Sequence, residues 1–241
     1  MMARRLMASC ALYAILGPAL AQSDVSLLPE GSSEMQVGAV LVSGPRAPGS
    51  AGRSTVLLPQ FSAEWSNGVF LDGLLLGKQM SSDPRLQYGP LLAFNLAAQH
   101  GDNGRTLRPV LGAFIRYRPV GELRLQGHVI APASDAGNGV LMQFSAGTAV
   151  TLASHQWLNF SLGIEAADSA YMQSDFGTAR FHPSGGLRTL FASVHWDWEL
   201  SPKVRMALAL HASRLQGDAA ASPRTERRNG VANSLSFRYS F

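Results

Sequence analysis

Apolar and polar residues alternate with a period of two along most of the chain, and this pattern constrains the fold more than any other feature. Successive side chains of a β-strand point to opposite faces, so the alternation indicates strands whose two faces meet different surroundings. Eleven runs show the pattern, at residues 35–41, 55–65, 69–75, 88–96, 111–117, 123–129, 140–152, 158–164, 190–198, 204–210 and 231–241. The sequence therefore predicts an all-β fold.

The length of the runs and their polar face favour a membrane protein. Tilted membrane strands need about 9–11 residues, whereas strands of soluble sheets average about 5–6. The polar face carries Gly, Ser, Thr, Asn and Gln, and 15% of all residues are charged, against about 25% in soluble domains. A closed sheet pairs every backbone group inside hydrocarbon. We therefore expect an antiparallel transmembrane β-barrel of the outer membrane, with a soluble β-sandwich as the alternative.

The number of strands follows from a rule of closure. Bacterial barrels of one chain have even strand numbers, so eleven visible runs predict twelve strands, with ten as the second choice. We place the missing strand at residues 171–181. Aromatic residues near the ends of runs predict girdles at both membrane interfaces, namely Trp65, Tyr88, Tyr117, Trp157 and Trp198.

The last run resembles the terminal strand signal that the outer-membrane assembly machinery reads. Apolar residues alternate with Ser and Arg and include the last residue of the sequence, and they are Leu235, Phe237, Tyr239 and Phe241. An exposed terminal Phe is of little use to a soluble domain. The pattern therefore supports the membrane barrel.

The first 21 residues have the layout of a secretory signal peptide. Arg4 and Arg5 provide a positive region, residues 6–16 are apolar, and Ala21 closes an A-x-A pattern. The apolar stretch is too short to span a membrane, so we expect export with cleavage after Ala21. Residues 22–241 then form one barrel domain, with 22–33 as an exposed leader. Cleavage removes Arg4 and Arg5 and so lowers the formal net charge of +4 by two. The remaining chain shows no basic face that would predict a nucleic-acid partner.

Two segments of the second half resemble the MltA-interacting protein / OmpV family of outer-membrane proteins. The first covers residues 168–177 and 184–187, and the second covers residues 214–223. The residues that carry the resemblance are Tyr171, Phe176, Gly177, Gly186, Leu215, Gly217, Asp218, Ser222 and Pro223. Asp175 stands where members more often have an aromatic residue. The segment 45–53 lacks the Tyr and Gly that members usually carry in the first loop.

The resemblance implies a scaffold for peptidoglycan (murein) remodelling enzymes. Members of the family are associated with binding a membrane-bound lytic transglycosylase and bringing it together with a peptidoglycan synthase. Others are linked to osmotic or antibiotic responses. The partners expected for this chain are therefore those two enzymes, outer-membrane lipid and the barrel assembly machinery. The motif residues 215–223 also fit a turn at the barrel rim that touches no partner.

An enzymatic alternative rests on two residues of one strand. His211 and Ser213 point to the same face, so with Glu226 or Asp218 they are candidates for a lipid hydrolase site. Two polar residues facing the lumen explain the same pair. The histidines show no metal-ligand spacing, and no phosphate-binding loop occurs. We therefore expect no catalytic site, metal or cofactor.

A small diffusion pore is the other alternative. Twelve strands enclose a narrower lumen than the 16–18 strands of porins with an aqueous channel. The segments 44–52 and 181–186 are candidates to fold inward and plug it. The sequence leaves the choice between scaffold and pore open.

Overall fold

A computed structural model describes residues 32–98, 105–133 and 139–241, so the predicted signal peptide and most of the predicted leader lie outside the described residues. Twelve strands form one closed antiparallel barrel in the order β1-β12-β11-β10-β9-β8-β7-β6-β5-β4-β3-β2. Their bounds are β1 Ser33–Pro45, β2 Arg53–Trp65, β3 Val69–Asp72, β4 Leu75–Lys78, β5 Leu86–Ala98, β6 Arg105–Tyr117, β7 Arg124–Pro132, β8 Leu141–Ala153, β9 Gln156–Ala167, β10 Gly186–Ser201, β11 Val204–Leu215 and β12 Asn229–Ser240. In the described ranges, no helix has the length and hydropathy to cross a membrane. The predicted fold is confirmed.

The twelfth strand is not where the sequence analysis placed it. Residues 171–176 belong to helix α1 (Ser169–Phe176), and Thr178 and Phe181 form an isolated bridge after it. The predicted strand at 171–181 is therefore wrong. The run predicted at 69–75 instead divides into β3 and β4, because Gly73 adopts a positive φ of 60° and permits a tight turn. Twelve strands result from this division.

Alternate side chains face lipid and lumen in the predicted phase. Leu57, Leu162 and Leu210 lie on the outer face and are 67%, 68% and 51% exposed. On the opposite face, the hydroxyls of Ser161 in β9 and Ser193 in β10 share a hydrogen bond, with their oxygens 2.5 Å apart. Such a wide apolar surface suits contact with lipid rather than water.

The two ends of the barrel differ in the length of their connections. At one end, here called the turn end, short segments join the strands at 66–68, 79–85, 118–123, 154–155 and 202–203. The other end, here called the loop end, carries the segment 46–52, which is as long as 79–85, and two much longer segments, 168–185 and 216–228. Outer-membrane barrels direct short turns to the periplasm and long loops outward, so the turn end is the periplasmic end.

The five aromatic residues expected in two girdles all lie at the turn end. Tyr88 and Tyr117 are 45% and 43% exposed and follow the outer surface. Trp157 instead shares the luminal face of β9 with Asn159. The expectation of a girdle at both interfaces is therefore wrong for this set of residues, since all five belong to strand ends on one side of the membrane.

Strands β1 and β12 close the barrel. They pair from Gln36 with Ser240 to Ser43 with Asn233, and the backbone N–H of Phe241 donates to the Met35 carbonyl at 3.2 Å. The residues of the expected assembly signal share the lipid-facing side of β12, at Leu235, Phe237, Tyr239 and Phe241. Their recognition by an assembly machinery stays a prediction.

A charge on the lipid face should destabilise the barrel. Leu162 lies midway along β9, so we expect Leu162→Arg to lower the free energy of unfolding by about 2–4 kcal/mol. Urea titration of the protein in lipid vesicles, followed by tryptophan fluorescence, measures this loss. Val120→Arg is the matched control, because Val120 is 72% exposed in a periplasmic turn. Equal losses for the two variants would contradict the assigned membrane boundary.

Candidate functional site: a loop cap and a charged chamber

The two segments that carry the family resemblance fold side by side at the loop end. The first forms α1, and the second forms a short helix α2 (Gly217–Ala221). The Asp168 carboxylate begins α1 by accepting a hydrogen bond from the Tyr171 backbone N–H at 2.8 Å. Gly139 lies against this cap with a φ of 69°, and a Cβ at Gly139 would collide with Asp168.

Apolar side chains of both helices pack against luminal side chains at the barrel rim. Tyr171, Met172 and Phe176 of α1 are 7%, 1% and 1% exposed. They share one buried cluster with residues of β7, β8, β9, β11 and α2, namely Ile130, Leu141, Ala167, Leu215 and Ala219. Helix α1 therefore lies within the mouth of the barrel and narrows it.

Hydrogen bonds join the two motif segments. The Ser222 hydroxyl donates to the Phe176 carbonyl at 2.6 Å, across the gap between the helices. The Asp218 carboxylate accepts from the Ser184 hydroxyl and backbone N–H at 2.7 and 2.8 Å. Gly217 begins α2 with a positive φ of 49°. Pro223 follows the helix, while Gly177 follows α1 and Gly186 begins β10.

The first loop joins the same assembly. The Ala51 N–H donates to a Glu226 side-chain oxygen at 2.7 Å, and the Gly49 carbonyl accepts from Glu226 and Arg227 at 2.8 and 2.9 Å. The predicted plug segment 44–52 thus packs against the last loop. We call residues 46–52, 168–185 and 216–228 together the loop cap.

Arg188 fixes the loop cap to the barrel wall. Its side chain is 3% exposed and forms ion pairs with Glu165 of β9 at 3.2 Å and Asp175 of α1 at 3.3 Å. The guanidinium also lies over the rings of Tyr171 and Phe176, at 5.2 and 5.6 Å from their centroids. One buried cation therefore holds both the strand and the helix.

Sequence reasoning missed Arg188 and Glu165 as parts of this site. A β-bulge between Leu187 and Thr189 turns the Arg188 side chain inward. The available signal was the break in alternation, since apolar Leu187 and Leu190 are three residues apart rather than two. The departure at Asp175 also has a physical role, because its carboxylate meets Arg188. Burial raises the pKa of the Asp175 carboxyl, and Arg188 opposes that shift.

A second feature, a charged chamber, lies in the lumen at the turn end. Its volume is about 650 Å³, and its lining includes six acidic residues (Glu34, Glu64, Asp72, Glu122, Asp197 and Glu199) and four basic residues (Arg116, Arg124, Arg205 and Arg238). Glu34 and Glu122 are exposed, so the chamber meets water at this end. The expectation of a luminal face made of Gly, Ser, Thr, Asn and Gln is therefore wrong near the periplasm.

Side chains of neighbouring strands cross-link the charges of the chamber. Arg124 donates to Asn159 at 3.4 Å, and Asn159 donates to Asp197 at 2.9 Å. Arg205 and Glu199 form an ion pair at 3.7 Å. These contacts hold acidic and basic groups in fixed positions at the periplasmic opening. The chamber is therefore a preorganised polar surface.

The structure does not assemble the hydrolase site considered above. His211 packs against Phe191 in the lumen, with ring centroids 5.3 Å apart and ring planes tilted by 31°. Both candidate acids accept hydrogen bonds within the loop cap, Glu226 from Ala51 and Asp218 from Ser184. Across the described ranges, no group of three or more His, Asp or Glu side chains has a metal-binding arrangement.

The model of the MltA-interacting protein family (MipA) matches residues 37–241, which include nearly the whole barrel. The chain belongs to this family. The nine residues on which the resemblance rested all lie in or beside the loop cap of this family member. No curated protein sequence matches the chain.

Solved structures with a similar fold are outer-membrane barrels. The NanC porin aligns with a TM-score of 0.54 and 9% identity, over 84% of this chain and 100% of that chain. The CymD monoaromatic hydrocarbon channel aligns with a TM-score of 0.42 and 11% identity, over 98% and 95%. OmpT of Vibrio cholerae aligns with a TM-score of 0.40 and 6% identity, over 90% and 100%. At such identities, the NanC match shows the fold alone.

Arg188 should dominate the stability of the loop cap. Arg188→Ala leaves two partly buried carboxylates without their cation, so we expect a loss of about 3 kcal/mol. Asp175→Asn should lose no more than about 1.5 kcal/mol, because Arg188 keeps its ion pair with Glu165 and the neutral amide can still accept a hydrogen bond. Urea titration, with tryptic cleavage at Arg180 as a local probe of α1, measures both. A smaller loss for Arg188→Ala than for Asp175→Asn would contradict the central position of Arg188.

The contact between Asp218 and Ser184 should make the loop cap sensitive to acid. Hydrogen bonds from the Ser184 hydroxyl and N–H lower the pKa of the Asp218 carboxyl. A lowered folded-state pKa stabilises the fold above the unfolded-state pKa, and that stabilisation is lost as pH falls through the folded-state pKa. Asp218→Asn should therefore reduce stability at neutral pH and change little in strong acid.

A carboxyl titration by NMR checks the cause of this shift. Ser184→Ala removes one of the two donors, so the pKa of Asp218 should move upward part of the way to its ordinary value. An unchanged pKa in Ser184→Ala would show that the hydroxyl contributes nothing.

Proposed function

We propose that this barrel is a scaffold for peptidoglycan-remodelling enzymes, which dock at its periplasmic turn end. The observation that carries the proposal is the charged chamber, which is exposed at the end of the barrel that faces the murein layer. Family membership supports the proposal, because the family is described by its interaction with MltA. A lytic transglycosylase and a peptidoglycan synthase are the partners proposed.

The asymmetry of the two ends supports this assignment. The loop cap lies on the external side, where apolar contacts and Arg188 hold it in place. In our proposal the motif residues of the loop cap shape this external mouth and make no contact with an enzyme. Docking then falls to the periplasmic rim of the chamber, where Glu34, Glu122 and Arg205 are exposed.

The charge of the chamber suggests the chemistry of the docking surface. Acidic lining residues outnumber basic ones by six to four, so a partner with a basic protrusion fits best. Complementary charges mainly set specificity and association rate, and they act less at high ionic strength. The proposed association should therefore weaken with added salt.

A pull-down from a detergent extract of the source envelope tests the proposal. The combined substitution Glu34→Lys and Glu122→Lys should reduce recovery of the transglycosylase or synthase at least tenfold, since it reverses two charges at the rim. Arg214→Ala is the control, because Arg214 is exposed at the loop end and its loss should leave recovery unchanged. Equal loss in both variants would contradict docking at the turn end.

A small diffusion pore is the second candidate. The observation in its favour is that polar side chains follow the chamber residues Asn159 and Asp197 along the luminal faces of β9 and β10, namely Ser161, Ser193 and His195. If the folded wild-type protein recovers neither enzyme and gives steady conductance steps in planar bilayers, the pore replaces the scaffold.

A further inference from the structure

Two exposed arginines lie on the outer face of the barrel at its loop end, on either side of the closing strands. Arg53 begins β2 and pairs with Pro45 of β1. Arg214 of β11 pairs with Asn229 of β12. Because β2, β1, β12 and β11 are consecutive in the barrel and adjacent strands lie about 4.8 Å apart, roughly 15 Å separates the backbones of the two arginines.

Both arginine side chains point toward lipid, at the external border of the apolar band. Leu57 of β2 and Leu210 of β11 lie on the lipid face and are 67% and 51% exposed. Each arginine is four residues from the leucine of its own strand, so the alternation of side chains places it on the same face. The outer surface therefore changes from leucine to arginine within about 13 Å along each strand.

Arg53 lies across the seam where β1 and β12 close the barrel. Its Nη1 donates to the Val231 carbonyl at 2.9 Å, and its Nη2 donates to the Ser43 carbonyl at 3.5 Å. The β1–β12 register, continued past Ser43, places Pro45 opposite Val231, and proline has no N–H to donate. Arg46 Nε donates to the Arg53 carbonyl at 3.2 Å. This bond holds a second guanidinium against the backbone of Arg53.

Three arginines of this outer face form what we call the arginine rim, namely Arg46, Arg53 and Arg214. In the part of the chain that the structure describes, none of the three forms an ion pair with a carboxylate. Glu226, in the adjoining last loop, accepts a hydrogen bond from the Ala51 N–H at 2.7 Å, and exposed Arg227 and Arg228 follow it. Like charges on neighbouring strands destabilise one another. An anion that binds at the rim would offset this repulsion.

The arginine rim has hydrogen-bond donors that the protein does not use. Each guanidinium carries five N–H donors in a planar fork that fits two phosphate oxygens. Within the described ranges, the side chain of Arg46 uses one donor, that of Arg53 uses two, and that of Arg214 uses none. A guanidinium is also more weakly hydrated than an ammonium group, so it releases water more readily. A phosphate group is therefore a suitable ligand for the rim.

We propose that the arginine rim binds the phosphorylated headgroup of an outer-leaflet lipid. A lipid fits this place better than a soluble anion, because its phosphate meets the arginines while its acyl chains lie along the leucines of the apolar band. The loop end faces outward, so the lipid belongs to the outer leaflet. The site is independent of the scaffold role, since Arg214 and the turn end lie on opposite sides of the membrane.

Lipid A, a glycolipid that carries two phosphates, is the probe that tests the site. Native mass spectrometry of the folded protein in an uncharged detergent counts the bound lipid molecules and gives an apparent Kd. The combined substitution Arg46→Gln, Arg53→Gln and Arg214→Gln should weaken lipid A binding about tenfold or more, because charge-assisted hydrogen bonds to phosphate are lost.

A second triple variant controls for net charge. Lys78, Arg85 and Lys203 are exposed at the turn end, and the combined substitution Lys78→Gln, Arg85→Gln and Lys203→Gln removes the same charge there. We expect it to change lipid A binding by less than about twofold, because the turn end lies more than a Debye length from the rim.

Three outcomes overturn the proposal. Equal weakening by the two triple variants shows an effect of net charge alone. Dephosphorylated lipid A that binds as tightly as lipid A shows that the phosphates contribute nothing. Inorganic phosphate that binds as tightly as lipid A assigns the rim to a soluble anion.

A double variant keeps the test valid if the triple variant at the rim fails to fold, as judged by heat-modified migration in gels. Arg46→Gln combined with Arg214→Gln keeps the bonds from Arg53 to Val231 and Ser43. This double variant should still weaken lipid A binding severalfold. Unchanged binding in the double variant also contradicts the proposal.

Discussion

Pairing of every backbone N–H and C=O within hydrocarbon is the constraint on which this structure depends. The chain meets this constraint along most of its strands by joining its first and last strands, β1 and β12, in one closed barrel. The same hydrocarbon also requires apolar contact on the outer surface, which the outward Leu, Ile and Phe side chains provide. Strand β2 is the exception from Arg53 to Gln60, because only β1 pairs with it there among the described residues, and Pro59 of this stretch has no N–H.

The inside of the barrel divides into three regions with different chemistry. At the external end, Arg188 balances two carboxylates beneath α1, and apolar packing surrounds the ion pairs. At the periplasmic end, acidic and basic groups share an aqueous chamber. Between them, the β7–β11 wall is polar and the β1–β6 side is aliphatic.

Alternation predicts the strands well because lipid and lumen impose opposite demands on successive residues. Alternation fails in segments outside the barrel wall, where successive side chains do not face lipid and lumen in turn. Residues 169–176 lie in a connection rather than the wall, so Tyr171, Met172 and Phe176 follow helical spacing, and Asp168 was the one local sign of a helix start. The pairing of Arg188 with Glu165 and Asp175 depends on a bulge and on chain segments 23 and 13 residues away. The sequence analysis also did not predict the chamber, because its charged residues are scattered over many strands and form no sequence motif.

The contact between the first and last loops bears on how the barrel is made. Ala51 and Glu226 are 175 positions apart, and their hydrogen bond joins the two loops that flank the closing strands. This hydrogen bond, which we call the clasp, cannot form until the last two strands have been synthesised and paired. Its formation is therefore a late step, and it closes a long loop at a high entropic cost. A nascent or truncated chain therefore remains unclasped, and the clasp distinguishes a finished barrel from an unfinished one on the outer surface of the cell.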